Sequence, residues 1–112
     1  MSQPLYALAE NEKPREKFIA QGAHALTDQD LLAILLRTGT KGHSVLEVSR
    51  ELLRSMPGEN VYYLSEASIA DLCAVHGIGM DKAVTICAAV ELGRRISKQR
   101  VKRNAPDFST PE

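Results

Sequence analysis

The sequence predicts one all-α domain, and three observations support that class. The chain has 112 residues, of which 44% are hydrophobic, enough for one compact core but not for two. Aromatic residues make up only 4% and tryptophan is absent, so the core must come mainly from aliphatic side chains, which favours helices over a β-sandwich. Apolar residues also recur at helical spacing after several capping residues.

The first two predicted helices follow a stretch without periodicity. Residues 1–12 mix proline, asparagine and charged residues and are interpreted as a flexible lead-in. Pro14 is typical of a first helical position, so a short helix is predicted from there to Gly22. Thr27 caps the next helix, whose segment 31–36 is apolar on nearly all sides and is therefore expected at the centre of the fold.

Three more helices are predicted downstream. Ser44 begins a helix that the Pro-Gly pair at 57–58 ends, and Ser68 caps a short fourth helix. The fifth begins near Gly79 and is long. Its buried side is expected to carry Ala83, Ile86, Cys87 and Val90.

Two segments of the chain resemble each other. Residues 27–34 and 68–75 share a capping residue, an acid three positions on, and the same order of apolar side chains, and each precedes a glycine-containing bend and another amphipathic helix. This predicts a five-helix bundle of two tandem helix-hairpin-helix units over residues 13–103. Such a bundle resembles the SAM/RuvA-C-like helical domains. Residues 104–112 have the composition of a linker toward a further carboxyl-terminal domain.

The second hairpin, residues 75–83, is the most informative motif. Gly77 and Gly79 permit a tight turn, and Ile78 between them is expected to plug the space between the two helices. The first N–H groups of the following helix lack intrahelical partners and can receive a phosphate oxygen, with Lys82 as a charge partner. Such a contact implies DNA binding without sequence preference and with strong salt dependence.

Other interpretations of this hairpin stay open. Gly77 and Gly79 form a tight turn in either case, Asp81 weakens an anion site, and hairpins of this shape also dock proteins. His76 either contacts a phosphate or simply faces solvent.

The first hairpin, residues 38–42, is longer than the second and lacks the apolar plug. Thr38, Gly39 and Lys41 are its candidate binding residues. It is either a degenerate copy that only packs, or a second phosphate contact through its amides and Lys41.

Charge is unevenly distributed although the net charge is zero. Residues 94–103 contain six basic residues and no acid, leaving eight basic residues against all 14 acids elsewhere. This run, which Arg94 and Arg95 open, is either a strip that follows phosphates, an interdomain contact or a solvated helix end. Tyr62 and Tyr63 either stack on unpaired bases or pack onto the core.

Three segments together resemble the amino-terminal region of RadC-family proteins: residues 13–17, 31–42 and 77–95, within a similarity that covers about residues 13–103. The resemblance implies that a Jab/MPN-type domain with a zinc-binding HxH motif follows, and that this domain is a partner of the present one. Family members are often called DNA repair proteins. The chain has no HxH motif, so it is expected to stop where that domain begins.

Several classes of site and location are not predicted. No set of residues suggests catalysis, a cofactor or a metal site, because the three histidines are far apart in sequence. No segment is long and apolar enough for a membrane span, and no signal pattern opens the chain, so a cytoplasmic protein is expected. Cys73 and Cys87 are interpreted as reduced core thiols.

Two functions follow from these patterns. The first is a non-catalytic module that binds DNA weakly through the second hairpin and the basic end of the last helix. The alternative is an interaction or regulatory domain for the Jab/MPN-type domain, which the zero net charge and the acidic body favour.

Overall fold

The computed structural model describes the backbone of residues 5–103 and the side chains of residues 12–99. This part of the chain contains no β-strand, which confirms the predicted all-α class. Its five α-helices are α1 (Leu5–Gln21), α2 (Asp28–Leu36), α3 (Val45–Arg54), α4 (Ile69–Cys73) and α5 (Met80–Arg103). Three short 3-10 helices connect them, at Ala23–Ala25, Pro57–Glu59 and Val61–Glu66. The predicted linker 104–112 lies outside the described residues.

Helices α2, α3 and α4 begin where their caps predict. The Thr27 hydroxyl accepts the Asp30 N–H at 3.1 Å, and the Asp30 carboxylate accepts the Thr27 N–H at 3.2 Å. The same reciprocal pair joins Ser44 to Glu47 at the start of α3. Ser68 and Asp71 form it at the start of α4. Each pair satisfies first-turn amides that otherwise have no partner.

Helix α2 is central, as its apolar sequence predicts, because it packs against α1, α3 and α5. The core is aliphatic and is drawn from every helix from α2 to α5. Its buried members are Leu32, Ala33, Leu36, Val45, Val48, Leu52, Met56, Leu64, Leu72, Ile78, Ala83 and Ile86. Cys87 and Val90, predicted to be buried, are partly buried at its edge.

Helix α1 corrects two predictions about the start of the chain. It begins at Leu5, so the predicted start at Pro14 is wrong, and the predicted lead-in over residues 1–12 is helical from Leu5 onward. Pro14 lies inside the helix with its ring fully buried, and that packing offsets the backbone hydrogen bond that proline cannot make. An ion pair of 3.4 Å between Lys17 and Asp30 connects α1 to α2.

The two similar segments share their caps but not their buried faces. In α2, Leu32 is buried and Leu31 is 38% exposed. In α4, Leu72, which corresponds to Leu31, is fully buried, whereas Cys73, which corresponds to Leu32, is exposed. The interpretation of Cys73 as a core thiol is therefore wrong, while the relation between two tandem units stays a prediction.

Candidate nucleic-acid interface

The second hairpin turns the chain sharply between α4 and α5. The Ile78 N–H donates to the Val75 carbonyl at 3.1 Å, Gly77 has a φ of +93°, and α5 begins at Met80. The Ile78 side chain is only 4% exposed and fills the space between the helices, in the position that the motif predicts. No continuous helix runs through Gly77.

The start of α5 differs from the starts of α2, α3 and α4. Its first hydrogen bond runs from the Ala83 N–H to the Gly79 carbonyl at 3.0 Å, so the amides of residues 80–82 have no acceptor within the helix. Gly79 stands where the other helices carry a capping Thr or Ser, and it has no side chain with which to cap them. A Cβ placed at Gly79 meets no atom within 4 Å. The uncapped amides therefore lie beside open space.

The two glycines of this hairpin have different surroundings. A Cβ at Gly77 would lie 2.9 Å from Val48 Cγ2 and 3.3 Å from Thr40 Cγ2, because the turn packs directly on α3 and on the first hairpin. Its positive φ also disfavours any other residue. Gly77 is required by the fold, whereas Gly79 is not.

The first hairpin is fixed by backbone contacts. Arg37 ends α2 with a φ of +74°, and Thr40 and His43 exchange N–H to carbonyl hydrogen bonds of 3.0 and 2.9 Å. A Cβ at Gly39 would lie 2.1 Å from the His43 carbonyl oxygen, so the chain passes there at a distance that only glycine permits. Lys41 lies at the exposed tip of this turn.

Lys82 joins the two hairpins. Its ammonium donates to the carbonyl and, at 3.4 Å, to the hydroxyl of Thr38, and it donates to the Gly39 carbonyl at 3.4 Å. Partial burial lowers the pKa of Lys82. The side chain that the sequence marks as a phosphate partner is thus directed at carbonyl oxygens after the end of α2.

Replacing Lys82 by methionine is expected to lower the free energy of unfolding by about 1 kcal/mol, because Thr38 and Gly39 lose a charged donor at a partly exposed site. Urea denaturation of both proteins measures the change. Lys98→Met is the matched control, since Lys98 is exposed. Equal effects of the two substitutions would contradict a connecting role for Lys82.

A shallow cavity of about 340 Å³ lies between the hairpins. It brings together four of the predicted binding residues, Gly39, Gly77, Gly79 and Lys82, and also Asp81. Its backbone-rich lining suits a small anionic group, while the Asp81 carboxylate opposes one. Thr38 contributes to this region through its contact with Lys82.

The structure places His76 on a different cavity. The ring of His76 meets that of His43 edge to face, with centroids 5.2 Å apart, beside Arg50 and Arg54. Nothing in the sequence pattern predicted this histidine pair, because the two residues belong to different hairpins. The hairpin cavity does not include His76.

Arg94 and Arg95 lie further along α5, about 21 Å from its first residue at 1.5 Å per residue. Glu91 accepts from Arg94 at 2.6 Å and from Arg95 at 2.9 Å. Hydrogen bonds from Arg95 and then Arg94 lower the pKa of Glu91. Arg94 also donates to the Ser65 carbonyl at 3.1 Å, so it has a structural contact as well as a positive charge.

The described part of the chain offers neither a metal centre nor a membrane span. No group of three or more His, Cys, Asp and Glu side chains in residues 12–99 is placed to hold a metal ion. Over residues 5–103, no helix has the length and the hydropathy needed to cross a bilayer.

Comparison with known proteins identifies the family. The family model described as UPF0758 N-terminal matches residues 5–84. The chain is 56% identical over 87 residues to the UPF0758 protein YsxA of Bacillus subtilis, covering 78% of this chain and 37% of that protein. It is 47% identical over 96 residues to a UPF0758 protein of Halalkalibacterium halodurans, covering 86% and 40%.

A UPF0758 protein of Staphylococcus aureus is 44% identical over 101 residues, covering 90% of this chain and 43% of the relative. The chain thus spans about two-fifths of the length of these curated relatives. No solved structure matches it. On the strength of the matching family model and of these relatives, the chain belongs to UPF0758, the RadC-like family.

Proposed function

We propose that this chain is a non-catalytic DNA-binding module built from two helix-hairpin-helix units, and that it holds the phosphate backbone weakly and without sequence preference. We also propose that it acts in DNA repair, the role that the resemblance to RadC-family proteins implies. The observation that carries it is the uncapped start of α5, where three amides adjoin open space at Gly79. A phosphate oxygen there would take the place of the side-chain cap that α2, α3 and α4 possess.

The surrounding charges make this binding electrostatic and modest. Lys41 is exposed at the tip of the first hairpin, whereas the Lys82 ammonium is occupied by carbonyl oxygens and Asp81 is a like charge to phosphate. We therefore expect contacts to few phosphates. Affinity should fall as salt rises from about 50 to 200 mM, with a slope set by that small number of contacts.

Gly79→Ala tests the site without disturbing the fold. The added methyl meets no protein atom within 4 Å, so no steric clash disturbs the fold, but it would occupy the space where a phosphate approaches the α5 amides. We expect affinity for duplex DNA to fall about tenfold, the loss of roughly 1.4 kcal/mol of charge-assisted hydrogen bonding. Titration of a labelled duplex at low salt measures it.

Gly58→Ala is a control that is expected to change stability and not DNA affinity. Its methyl also meets nothing within 4 Å, but its φ of +62° makes alanine strained. It should lower stability by about 1 kcal/mol and leave DNA affinity unchanged, the opposite of Gly79→Ala. Absence of duplex binding by the unmodified chain at low salt, or equal affinity of the Gly79→Ala variant, would overturn the proposal.

A second function, docking to the rest of a longer polypeptide, is favoured by a separate observation. Leu92 and Ile96 are 62% and 66% exposed and lie four residues apart on α5, hence on one face of the helix. The relatives are more than twice as long as the region matched. In this alternative, the carboxyl-terminal Jab/MPN-type domain that the resemblance implies would cover this face.

Hydrogen exchange distinguishes this alternative. Amides of α5 around residues 88–97 should exchange more slowly in a full-length family member than in this chain alone. Identical exchange in both would count against docking.

A further inference from the structure

We propose that the groove between the 3-10 helix Val61–Glu66 and α5 binds a single strand of nucleic acid, with Tyr62 stacking on an unpaired base and Arg95 and Lys98 contacting phosphates. The inference deepens the proposed DNA-binding function and rests on it. The groove is an open cavity of about 1280 Å³. Tyr62 and Glu66 line one side, and Arg95 and Lys98 line the other.

Tyr62 is held as an exposed aromatic platform. Its side chain is 59% exposed, whereas the adjacent Tyr63 is partly buried against the core. The two rings meet edge to face with centroids 5.2 Å apart, so Tyr63 supports Tyr62 from the protein side. Of the two positions that the sequence left undecided between stacking and packing, Tyr63 packs and Tyr62 faces solvent.

The far wall of the groove is positively charged and fixed in place. Arg94 donates to the Ser65 carbonyl at 3.1 Å and pairs with Glu91, so it fastens α5 to the 3-10 helix opposite. Arg95 is 74% exposed despite its pair with Glu91, and Lys98 is exposed one turn further on. On the opposite wall, the Glu66 carboxylate accepts a hydrogen bond of 3.4 Å from the Tyr62 hydroxyl.

The groove combines the two elements that sequence-independent single-strand binders use. An exposed ring stacks on any base, since every base has a π face, and a basic wall follows the sugar-phosphate chain. A paired base inside a duplex does not offer its face to Tyr62. Three basic side chains face two carboxylates here, Glu66 and the paired Glu91, which leaves one net positive charge at the groove. Helix α5 continues with three more basic residues to Arg103, and this sign of charge fits a polyanion.

The groove and the hairpin cavity can be tested separately because they lie at opposite ends of α5. Arg95 is 15 residues from Met80, about 22 Å along the helix axis. A substitution at Tyr62 therefore leaves the α5 amides intact, and a substitution at Gly79 leaves the groove intact.

The absence of tryptophan from the chain provides a direct probe. Tyr62→Trp introduces one fluorophore into the groove, and we expect oligothymidylate about ten nucleotides long to quench it by stacking. Phe18→Trp is the control, because Phe18 is 41% exposed on α1 and does not line the groove. In parallel, Tyr62→Ala should weaken single-strand affinity about tenfold with duplex affinity unchanged, and Tyr62→Phe should restore it.

Each outcome separates the groove from the hairpin. Unquenched fluorescence of the Tyr62→Trp variant and unchanged single-strand affinity of Tyr62→Ala, in a chain whose duplex binding responds to Gly79→Ala, would overturn the groove and leave the proposed function standing. Quenching of the Tyr62→Trp variant together with no response to Gly79→Ala would support the groove and overturn the hairpin site. Quenching of the Tyr62→Trp variant by an acidic peptide but not by oligothymidylate would overturn the groove alone. No binding of either nucleic acid by the unmodified chain would overturn both.

Discussion

Replacing Gly39 by alanine is expected to lower the free energy of unfolding by about 3 kcal/mol or more. The alanine Cβ would lie 2.1 Å from the His43 carbonyl oxygen, 2.6 Å from the Ser44 carbonyl carbon and 2.8 Å from the Val45 nitrogen. All three are backbone atoms at the capped start of α3, so no side chain can rotate away. The first hairpin has to open before the methyl group fits.

Urea or thermal denaturation measures this loss, with Gly93→Ala as the matched control. Gly93 lies within α5, and a Cβ there meets nothing within 4 Å. Alanine should therefore raise stability there by about 0.5 to 1 kcal/mol through its higher helix propensity. If Gly39→Ala were as stable as the unmodified chain, the close approach at the first hairpin would not exist in solution.

Replacing Gly77 by alanine is expected to cost about 3 kcal/mol, through two separate causes. A φ of +93° is unfavourable for any residue with a Cβ, at about 1 to 2 kcal/mol. The methyl would also lie 2.9 Å from Val48 Cγ2, in a region where Val48 is fully packed, and overpacking adds about 1 to 2 kcal/mol.

A double-mutant cycle with Val48→Ala separates the two causes. Removing the valine methyl groups relieves the steric part but not the backbone strain, so Gly77→Ala should cost only about 1 to 2 kcal/mol in the Val48→Ala background. An equal cost in both backgrounds would show that Val48 plays no part. Gly79→Ala provides a contrast within the same motif. Gly77→Ala is expected to lower stability, whereas Gly79→Ala is expected to lower DNA affinity.

The features predicted correctly from the sequence are local ones. The reciprocal caps at Thr27, Ser44 and Ser68 involve residues only three positions apart. The starts of α2, α3 and α4 could therefore be predicted from short sequence segments. The buried position of Ile78 followed in the same way from its place between two glycines.

The features that were missed depend on tertiary contacts. Lys82 contacts Thr38 across 44 residues, a pairing that no local pattern encodes. Pro14 continues a helix because its ring is buried, whereas the sequence rule assumes an exposed helix start. Cys73 has an apolar helical pattern around it but lies on the outer face of α4, and a five-residue helix is too short for periodicity to fix which face is buried.

The pair of helices α2 and α3 and the pair α4 and α5 hold each other in place, and this affects how the domain unfolds. The Lys82 ammonium is anchored on the Thr38 and Gly39 carbonyls, and Gly77 seats against Val48 and Thr40, so each half supplies part of the surface that the other needs. Separation of α2 and α3 from α4 and α5 would break the hydrogen bonds of Lys82 and the packing of Gly77 at the same time. The domain should accordingly melt as a single cooperative unit rather than by the fraying of one half.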